Sequence, residues 1–334
     1  MLFNKDTNSV IGILLTTIIR LHRKSINVYP PDIFVLKAEF RSLIAPATFV
    51  LIWSGAFVAI RAGLPYMSPL TFLSSRFTVA CLLLVVFIFL WKNWRVGWKN
   101  IRPIWPHLVV AGLLMNAGYL SAAYLAMRDL KAATLALITA LAPMLTATIS
   151  STAFGQGYTV LKCLGFVLGF IGVGIVVGFE PATLTQTTGL GWAFVSMTSL
   201  VIGTIYFNRY CQSTDILPSN CIQLASAAVL CWVMVVLFET PMVQPSLSLL
   251  LSFSYLTLAA SIGAMLIYLY MLKTHSAEYV ISNLYLTPGV SAILGWAILD
   301  ETFQYSALTG FAISTFGLWL VWRTPNKKKA VIQK

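Results

Sequence analysis

Long apolar stretches separated by short polar breaks run through the chain from residue 43 to residue 323. A helix needs about 20 mostly apolar residues to cross the hydrocarbon core of a bilayer, and each stretch has about that length. Proline, glycine or charged residues mark the breaks. The pattern predicts ten membrane-spanning helices, at residues 43–62, 69–91, 104–126, 132–152, 159–179, 189–208, 219–238, 250–271, 278–298 and 305–323.

The first 42 residues differ from the rest of the chain. The apolar run at 10–19 is too short to span a bilayer, and Arg20, Arg23 and Lys24 follow it. A secretory signal peptide carries its charges before the apolar run, so the segment does not resemble one. Residues 1–42 are therefore interpreted as an N-terminal cytoplasmic or interfacial segment, and an amphipathic helix or a disordered start fits equally well.

Composition agrees with a polytopic membrane protein. Hydrophobic residues make up 58% of the 334 positions, charged residues 10%, and the mean hydropathy is +0.84. Soluble domains carry about 25% charged residues. These values exclude a water-soluble enzyme, a disordered chain and a disulfide-rich secreted domain.

The basic excess of +12 follows the predicted spans. If the N-terminus is cytoplasmic, 17 Lys and Arg residues fall on the cytoplasmic side and 3 on the other side. Cytoplasmic loops of membrane proteins are rich in Lys and Arg. We therefore predict an inner-membrane protein with both termini, including a basic tail at 324–334, in the cytoplasm; nucleic-acid binding is disfavoured.

An internal repeat aligns residues 108–178 with 253–323 at an offset of 145. Only 10 of 71 positions are identical, but the identical residues include glycines and a proline, which have positional meaning in membrane helices. The matched pairs include Gly118 with Gly263, Pro143 with Pro288, Gly165 with Gly310 and Gly172 with Gly317. Each half would hold five spans. Because five is odd, the second half must be inverted in the membrane, as in many secondary transporters.

Short motifs in both halves carry a family resemblance. The first half contains WSGAFVA at 53–59, SRF at 75–77, KAATLA at 131–136, AP at 142–143 and LGFVLGFIGV at 164–173, and the second contains SAE at 276–278, TP at 287–288, DE at 300–301 and Gly310. In this order and spacing they resemble the EamA family of the drug/metabolite transporter superfamily. The resemblance covers about residues 43–323 and implies two EamA-like repeats, at 43–179 and 189–323. One departure is Gln156, where the family often has an acidic residue; Glu301 occupies the equivalent place in the second half.

Charged residues inside the predicted spans are few. The acidic residues all lie at span ends or in loops, which disfavours a cation antiporter of the small multidrug type. Glu278 comes nearest to the interior, and an interfacial acid near Lys273 and His275 is the simpler interpretation. Arg76 lies about 10 Å along the second span. It could extend to the interface, form a structural bond, or serve as a counter-charge for an anionic substrate.

Neutral polar and aromatic residues supply the remaining site candidates. Polar groups in spans tend to face the bundle interior, because lipid offers few partners. The predicted substrate-binding residues are Asn116, Tyr119, Asn283, Tyr285, Trp53, Tyr206, Tyr268 and Arg76. Helix packing is the alternative role for each. The family resemblance implies that the third and ninth spans, which hold Asn116, Tyr119 and Asn283, line a central cavity.

Prolines and glycines within the spans predict special backbone sites. Pro143 and Pro288 are predicted hinges, with purely structural kinks as the alternative. The glycines at 165, 169, 174 and 178 form small-xxx-small pairs that favour close helix packing, within the fold or in a homodimer.

The sequence contains no HExxH, GxSxG or P-loop motif. We therefore predict a non-enzymatic protein without cofactor or metal, driven by a proton or other ion gradient or by the solute's own gradient. The predicted function is export of small metabolites, such as amino acids, by alternating access. Two alternatives stay open: uptake or exchange of an anionic or nucleotide-like metabolite, and a non-transporting lipid-handling or assembly protein.

Overall fold

A computed structural model describes residues 43–90, 101–126, 129–130, 135, 138–155, 157–177, 187–299 and 305–323. The predicted terminal segments 1–42 and 324–334 lie outside these residues. The described residues are mostly helical. The helices are α1 (Ala45–Gly63), α2 (Pro69–Leu90), α3 (Trp105–Ala126), α4 (Ala142–Phe154), α5 (Val160–Val177), α6 (Thr187–Tyr210), α7 (Ile216–Phe238), α8 (Leu247–Thr274), α9 (Ala277–Ser282, Asn283–Leu286 and Thr287–Leu299) and α10 (Tyr305–Arg323).

Seven helices in the described part of the chain are long and apolar enough to cross a membrane: α1 extended to Tyr66, α2, α3, α6, α7, α8 and α9. The protein is therefore a mostly helical membrane protein. Val160–Ile175 of α5 is a shorter apolar helix, and α4 spans 13 residues. A total of ten spans stays a prediction.

Large apolar side chains cover the outside of the bundle. Leu90, Val160 and Val236 are 80%, 78% and 82% exposed, respectively. A soluble protein rarely shows such continuous apolar surface, whereas a lipid bilayer solvates it. Helix association in lipid then depends on close packing and interhelical hydrogen bonds rather than on the hydrophobic effect.

Helices α5 and α10 pack closely through glycines. A Cβ atom on Gly165 would lie 2.8 Å from the carbonyl oxygen of Gly317, and one on Gly172 would lie 2.6 Å from that of Gly310. The lower-numbered glycine of one helix meets the higher-numbered glycine of the other, so the helices run antiparallel. These glycines allow the two backbones to approach each other without intervening side chains.

Helices α2 and α7 form a second close antiparallel pair. Trp232 Nε1 donates to Thr78 Oγ1 over 3.0 Å, and the sulfur atoms of Cys81 and Cys221 lie 3.8 Å apart. At the start of α2, the carboxylate of Glu239 accepts hydrogen bonds from the backbone N–H of Leu70 and from the N–H and hydroxyl of Thr71, over 2.7–3.0 Å. A carboxylate at this position satisfies orphan N–H groups and favours the helix dipole.

Two helices contain π-helical turns, Leu113–Gly118 in α3 and Leu256–Ala264 in α8. The wider turn displaces backbone carbonyls from their usual partners, and neighbouring helices supply donors. Ser199 Oγ and Ser196 Oγ in α6 donate to the carbonyls of Leu114 and Tyr119, each over 2.9 Å. π-Helical turns of this kind are frequent at functional sites.

Candidate functional site

A cavity lies among α1, α2, α3, α8, α9 and the residues that precede α4. The space between its side chains amounts to about 980 Å³ when solvent at its mouth is included. The lining residues are Trp53, Ala56, Phe57, Ile60, Arg76, Phe77, Asn116, Tyr119, Leu120, Ala123, Tyr124, Leu135, Thr139, Ala140, Ala260, Ser261, Met265, Leu284, Thr287 and Pro288.

Aromatic rings form one wall of the cavity. The rings of Trp53 and Tyr119 are stacked, with centroids 6.4 Å apart and planes 14° from parallel. Phe49 lies behind Trp53, at a centroid distance of 5.4 Å, and also contacts Tyr268 at 5.3 Å. The wall can contact an apolar or aromatic part of a bound molecule.

Several buried polar atoms of the lining residues have no hydrogen-bond partner among the described residues. Arg76 is 4% exposed, and its Nε atom lacks a partner. The other such atoms are Asn116 Nδ2, Tyr124 Oη, Ser261 Oγ and Thr287 Oγ1. An unsatisfied buried polar atom destabilises a protein by roughly 1–3 kcal/mol. Five of the eleven such atoms among the described residues belong to the lining of this one cavity, which makes it the candidate binding site.

Local backbone structure positions these groups. Asn116 lies within the π-helical turn of α3, and Ser261 lies within that of α8. Asn220 Nδ2 in α7 donates to the Ser261 carbonyl over 3.2 Å. The π turn shifts the angular position of residues along each helix, so side chains before and after it face different directions than in a regular helix.

The two predicted hinge prolines occupy matching places. Pro143 is the second residue of α4 and follows a turn at 140–141; Pro288 is the second residue of Thr287–Leu299 and follows the 3₁₀ segment Asn283–Leu286. Proline is favoured in a first turn because it has no N–H to lose there. Pro288 lines the cavity and Pro143 does not. Their role as hinges stays a prediction.

Four of the eight predicted binding residues line the cavity: Trp53, Arg76, Asn116 and Tyr119. The other four lie outside its lining. Asn283 Nδ2 donates to the carbonyls of Tyr279 and Val280 over 3.0 and 2.9 Å. Tyr285 Oη donates to the Phe166 carbonyl over 3.0 Å, and its ring packs on Gly169.

The remaining two tyrosines hydrogen-bond to side chains of neighbouring residues. Tyr206 Oη lies 2.6 Å from His107 Nδ1, and Tyr268 Oη lies 2.8 Å from Thr204 Oγ1. The lining also contains residues that were not selected from the sequence, notably Phe57, Phe77, Tyr124 and Thr287. Tyr124 lies in the same predicted span as Asn116 and Tyr119, and it has the same polar character within an apolar run that selected those two residues.

A buried ion pair lies outside this cavity. Lys162 Nζ in α5 is 3.6 Å from Glu278 Oε1 in α9, and the side chains are 4% and 1% exposed. Lys162 also lies over the ring of Tyr158, at 5.3 Å from its centroid. The pair joins the two regions of the chain that the sequence repeat relates.

Comparisons with known proteins agree with a membrane transporter. The EamA-like transporter family matches residues 41–178 and 187–323. The uncharacterized inner membrane transporter YedA of Escherichia coli (strain K12) is 26% identical over 278 residues, which cover 81% of this chain and 87% of that protein. The uncharacterized transporter YvbV of Bacillus subtilis (strain 168) is 23% identical over 291 residues, which cover 87% and 94%.

The fold also matches an experimental structure. A protein crystal structure aligns with a TM-score of 0.70 and 17% identity, over 84% of this chain and 95% of that chain. The family match extends over most of the chain, in agreement with the resemblance found in the sequence. The protein is thus a multi-pass membrane transporter, and its chain belongs to the EamA-like transporter family of the drug/metabolite transporter superfamily.

Proposed function

We propose that the protein is a secondary transporter that exports small amphipathic metabolites, such as amino acids, by alternating access. The cavity is the observation that carries this proposal, because it combines an aromatic wall with unpartnered polar atoms and is lined from both matched regions. Such a mixture suits a small solute with one polar and one apolar part.

The proposed architecture is ten spans in two inverted five-helix repeats, at 43–179 and 189–323. The bounds of two helices support this architecture. Thr287–Leu299 begins and ends 145 residues after Ala142–Phe154, and 145 is the offset of the sequence repeat. The π-helical turns contain Gly118 and Gly263, which the same offset relates. Repeat-related helices α5 and α10 run antiparallel, as inversion requires.

Polar contacts at opposite ends of the bundle support alternating access. The contact of Glu239 with the start of α2 lies at the end that the charge distribution assigns to the outside. The Lys162–Glu278 pair lies at the end assigned to the cytoplasm. We propose that these contacts exchange with alternative partners as the cavity changes sides. Both termini are then cytoplasmic, as the excess of Lys and Arg on that side suggests.

Solute counterflow in proteoliposomes tests this function. Liposomes that contain the purified protein and a high internal concentration of one unlabelled amphipathic solute, phenylalanine or 3-phenylpropionate, should accumulate the same solute in labelled form, and protein-free liposomes should not. Ala260→Phe places a ring in the cavity and should lower the initial rate at least tenfold. Leu258→Phe adds the same ring at a position that is 55% exposed and should retain the rate.

The alternative of a non-transporting protein predicts a different result. No labelled solute would accumulate for amino acids or for other amphipathic metabolites, and the two phenylalanine variants would behave alike. Equal flux through the Ala260→Phe variant and the unmodified protein would mean that the cavity is not part of the transport pathway.

A further inference from the structure

Arg76 gives the cavity a positive charge that the protein itself leaves uncompensated. Arg76 is 4% exposed, its Nε atom has no hydrogen-bond partner among the described residues, and its Cζ atom lies 5.1 Å from the centroid of the Phe77 ring. No acidic side chain is present among the described lining residues. The acids nearest the bundle interior are engaged elsewhere, Glu278 with Lys162 and Glu239 with the start of α2.

A buried guanidinium in a membrane is strongly disfavoured unless it faces a polar cavity or a partner of opposite charge. Its planar donor set matches the two oxygens of a carboxylate. Interaction with a carboxylate would therefore satisfy the charge and several donors together. A carboxylate that belongs to the bound solute therefore best explains the buried guanidinium of Arg76.

Neutral donors accompany the charge. Asn116 Nδ2, Tyr124 Oη and Thr287 Oγ1 belong to lining residues and have no partner among the described residues. A carboxylate accepts up to about four hydrogen bonds, and a bidentate pair with one guanidinium uses two of them. The amide and hydroxyl groups thus extend the set of donors available to one anionic group.

Most of the other lining residues are apolar, apart from Tyr119, Thr139 and Ser261. Trp53, Phe57, Phe77 and Leu284 offer rings and an aliphatic surface, and none of the lining residues that the structure describes carries a negative charge for an ammonium group. An ammonium close to a carboxylate bound by Arg76 would be repelled by the guanidinium, and no described lining residue carries a negative charge that offsets this repulsion. Selectivity against such a solute follows from this repulsion.

We propose that the solute is an amphipathic monocarboxylate without an ammonium group, and that Arg76 binds its carboxylate while the apolar remainder lies against the aromatic wall. This inference rests on the proposed transport function, narrows its solutes from amphipathic metabolites in general to organic anions, and replaces the amino acids given there as an example.

Four compounds with one carbon skeleton test the charge requirement: 3-phenylpropionate, 3-phenylpropanamide, 3-phenylpropylamine and phenylalanine. Thermal stabilisation of the full-length protein in nanodiscs measures the dissociation constant of each. The acid should bind at least tenfold more tightly than the amide and than phenylalanine, and the amine should bind most weakly. A chloride series at the same ionic strength should produce no comparable stabilisation.

Variants test whether the preference for the acid depends on Arg76. Arg76→Gln should remove the preference for the acid over the amide, whereas Arg76→Lys should keep part of it. Asn116→Asp adds a negative charge to the lining and should weaken acid binding at least tenfold, which tests the proposal even where Arg76→Gln does not fold. Arg102→Gln removes an exposed arginine outside the lining and should leave all four dissociation constants unchanged.

Equal binding of acid and amide, no stabilisation by the acid, or an Arg76→Gln variant that keeps the preference would overturn the inference. Counterflow separates this failure from failure of the proposed function. If phenylalanine is transported and 3-phenylpropionate does not inhibit its flux, the proposed transport function holds and the carboxylate assignment is wrong. If binding selects the acid and depends on Arg76 but none of the four compounds is transported, the binding site holds and the proposed transport function is wrong.

Discussion

Glycines at the α5–α10 contact illustrate how single atoms determine packing at the residue scale. A Cβ atom on Gly172 would meet the backbone N–H of Ser314 and lie 2.6 Å from the carbonyl oxygen of Gly310. Backbone atoms cannot move aside as the end of a flexible side chain can. Any larger residue at this position must therefore separate the two helices.

We expect Gly172→Ala to destabilise the protein by about 1–3 kcal/mol, the usual range for overpacking. Thermal unfolding in nanodiscs measures the change. The matched control is Gly191→Ala in α6, where the added methyl group meets nothing within 4 Å. Because alanine is the better helix former by up to about 1 kcal/mol, the control should be neutral or slightly stabilising. Equal losses in both variants would contradict a tight α5–α10 contact.

The residue scale also shows how far the sequence could identify the cavity. Arg76, Asn116, Tyr119 and Trp53 line it, as their polar or aromatic character in apolar spans predicts. Tyr285 has the same character but hydrogen-bonds to Phe166 instead. Residue type alone predicts that a buried polar group needs a partner, but only packing determines whether that partner is the protein or a solute.

At the element scale, the first turn of α2 depends on a residue from the other matched region. Glu239 follows α7, yet its carboxylate accepts hydrogen bonds from Leu70 and Thr71. The interaction combines charge-assisted hydrogen bonds with the favourable end of the helix dipole. It also connects α2 to the end of α7.

We expect Glu239→Gln to lower the free energy of unfolding by about 1–2 kcal/mol, because it removes the charge and one acceptor oxygen. Asp215→Asn is the control: Asp215 occupies the N-cap position of α7, but its side chain makes no capping bond. Chemical denaturation in mild detergent compares the two variants. A loss for Asp215→Asn as large as that for Glu239→Gln would assign the effect to net charge rather than to the cap.

The elements were predicted with unequal success. Apolar length identified the seven long helices, because crossing a bilayer requires a continuous apolar run. The π-helical turns in α3 and α8 were not predicted, since one displaced residue leaves an apolar stretch unchanged. The two turns contain Gly118 and Gly263, which the sequence repeat relates.

At the scale of the whole molecule, the Lys162–Glu278 pair connects the two matched regions. Both side chains are almost fully buried, so removal of either partner leaves a charge that water cannot solvate well. Removal of both partners avoids that penalty. The two effects should therefore not be additive.

We expect Lys162→Met and Glu278→Gln each to lower the thermal stability by about 3–5 kcal/mol, and the double variant to lose clearly less than the sum. A double-mutant cycle from thermal unfolding measures the coupling, expected at about 0.5–3 kcal/mol. The neighbouring pair Thr159→Val and Glu278→Gln serves as a comparison without a second charge and should show weaker coupling. Additive losses for Lys162→Met and Glu278→Gln would mean that the ion pair does not connect the regions.

The uncompensated charge of Arg76 has an electrical consequence. With a monoanion bound, the proposed site is neutral, so the membrane voltage exerts no net force on the loaded site. The empty site keeps one positive charge, and each elementary charge that crosses the full field gains or loses about 2.3 kcal/mol per 100 mV. A negative interior would draw the empty site toward the cytoplasm, where an exporter must collect its next solute. The arginine that selects an anion would thus also allow the resting membrane potential to favour the return of the empty site to the cytoplasmic side.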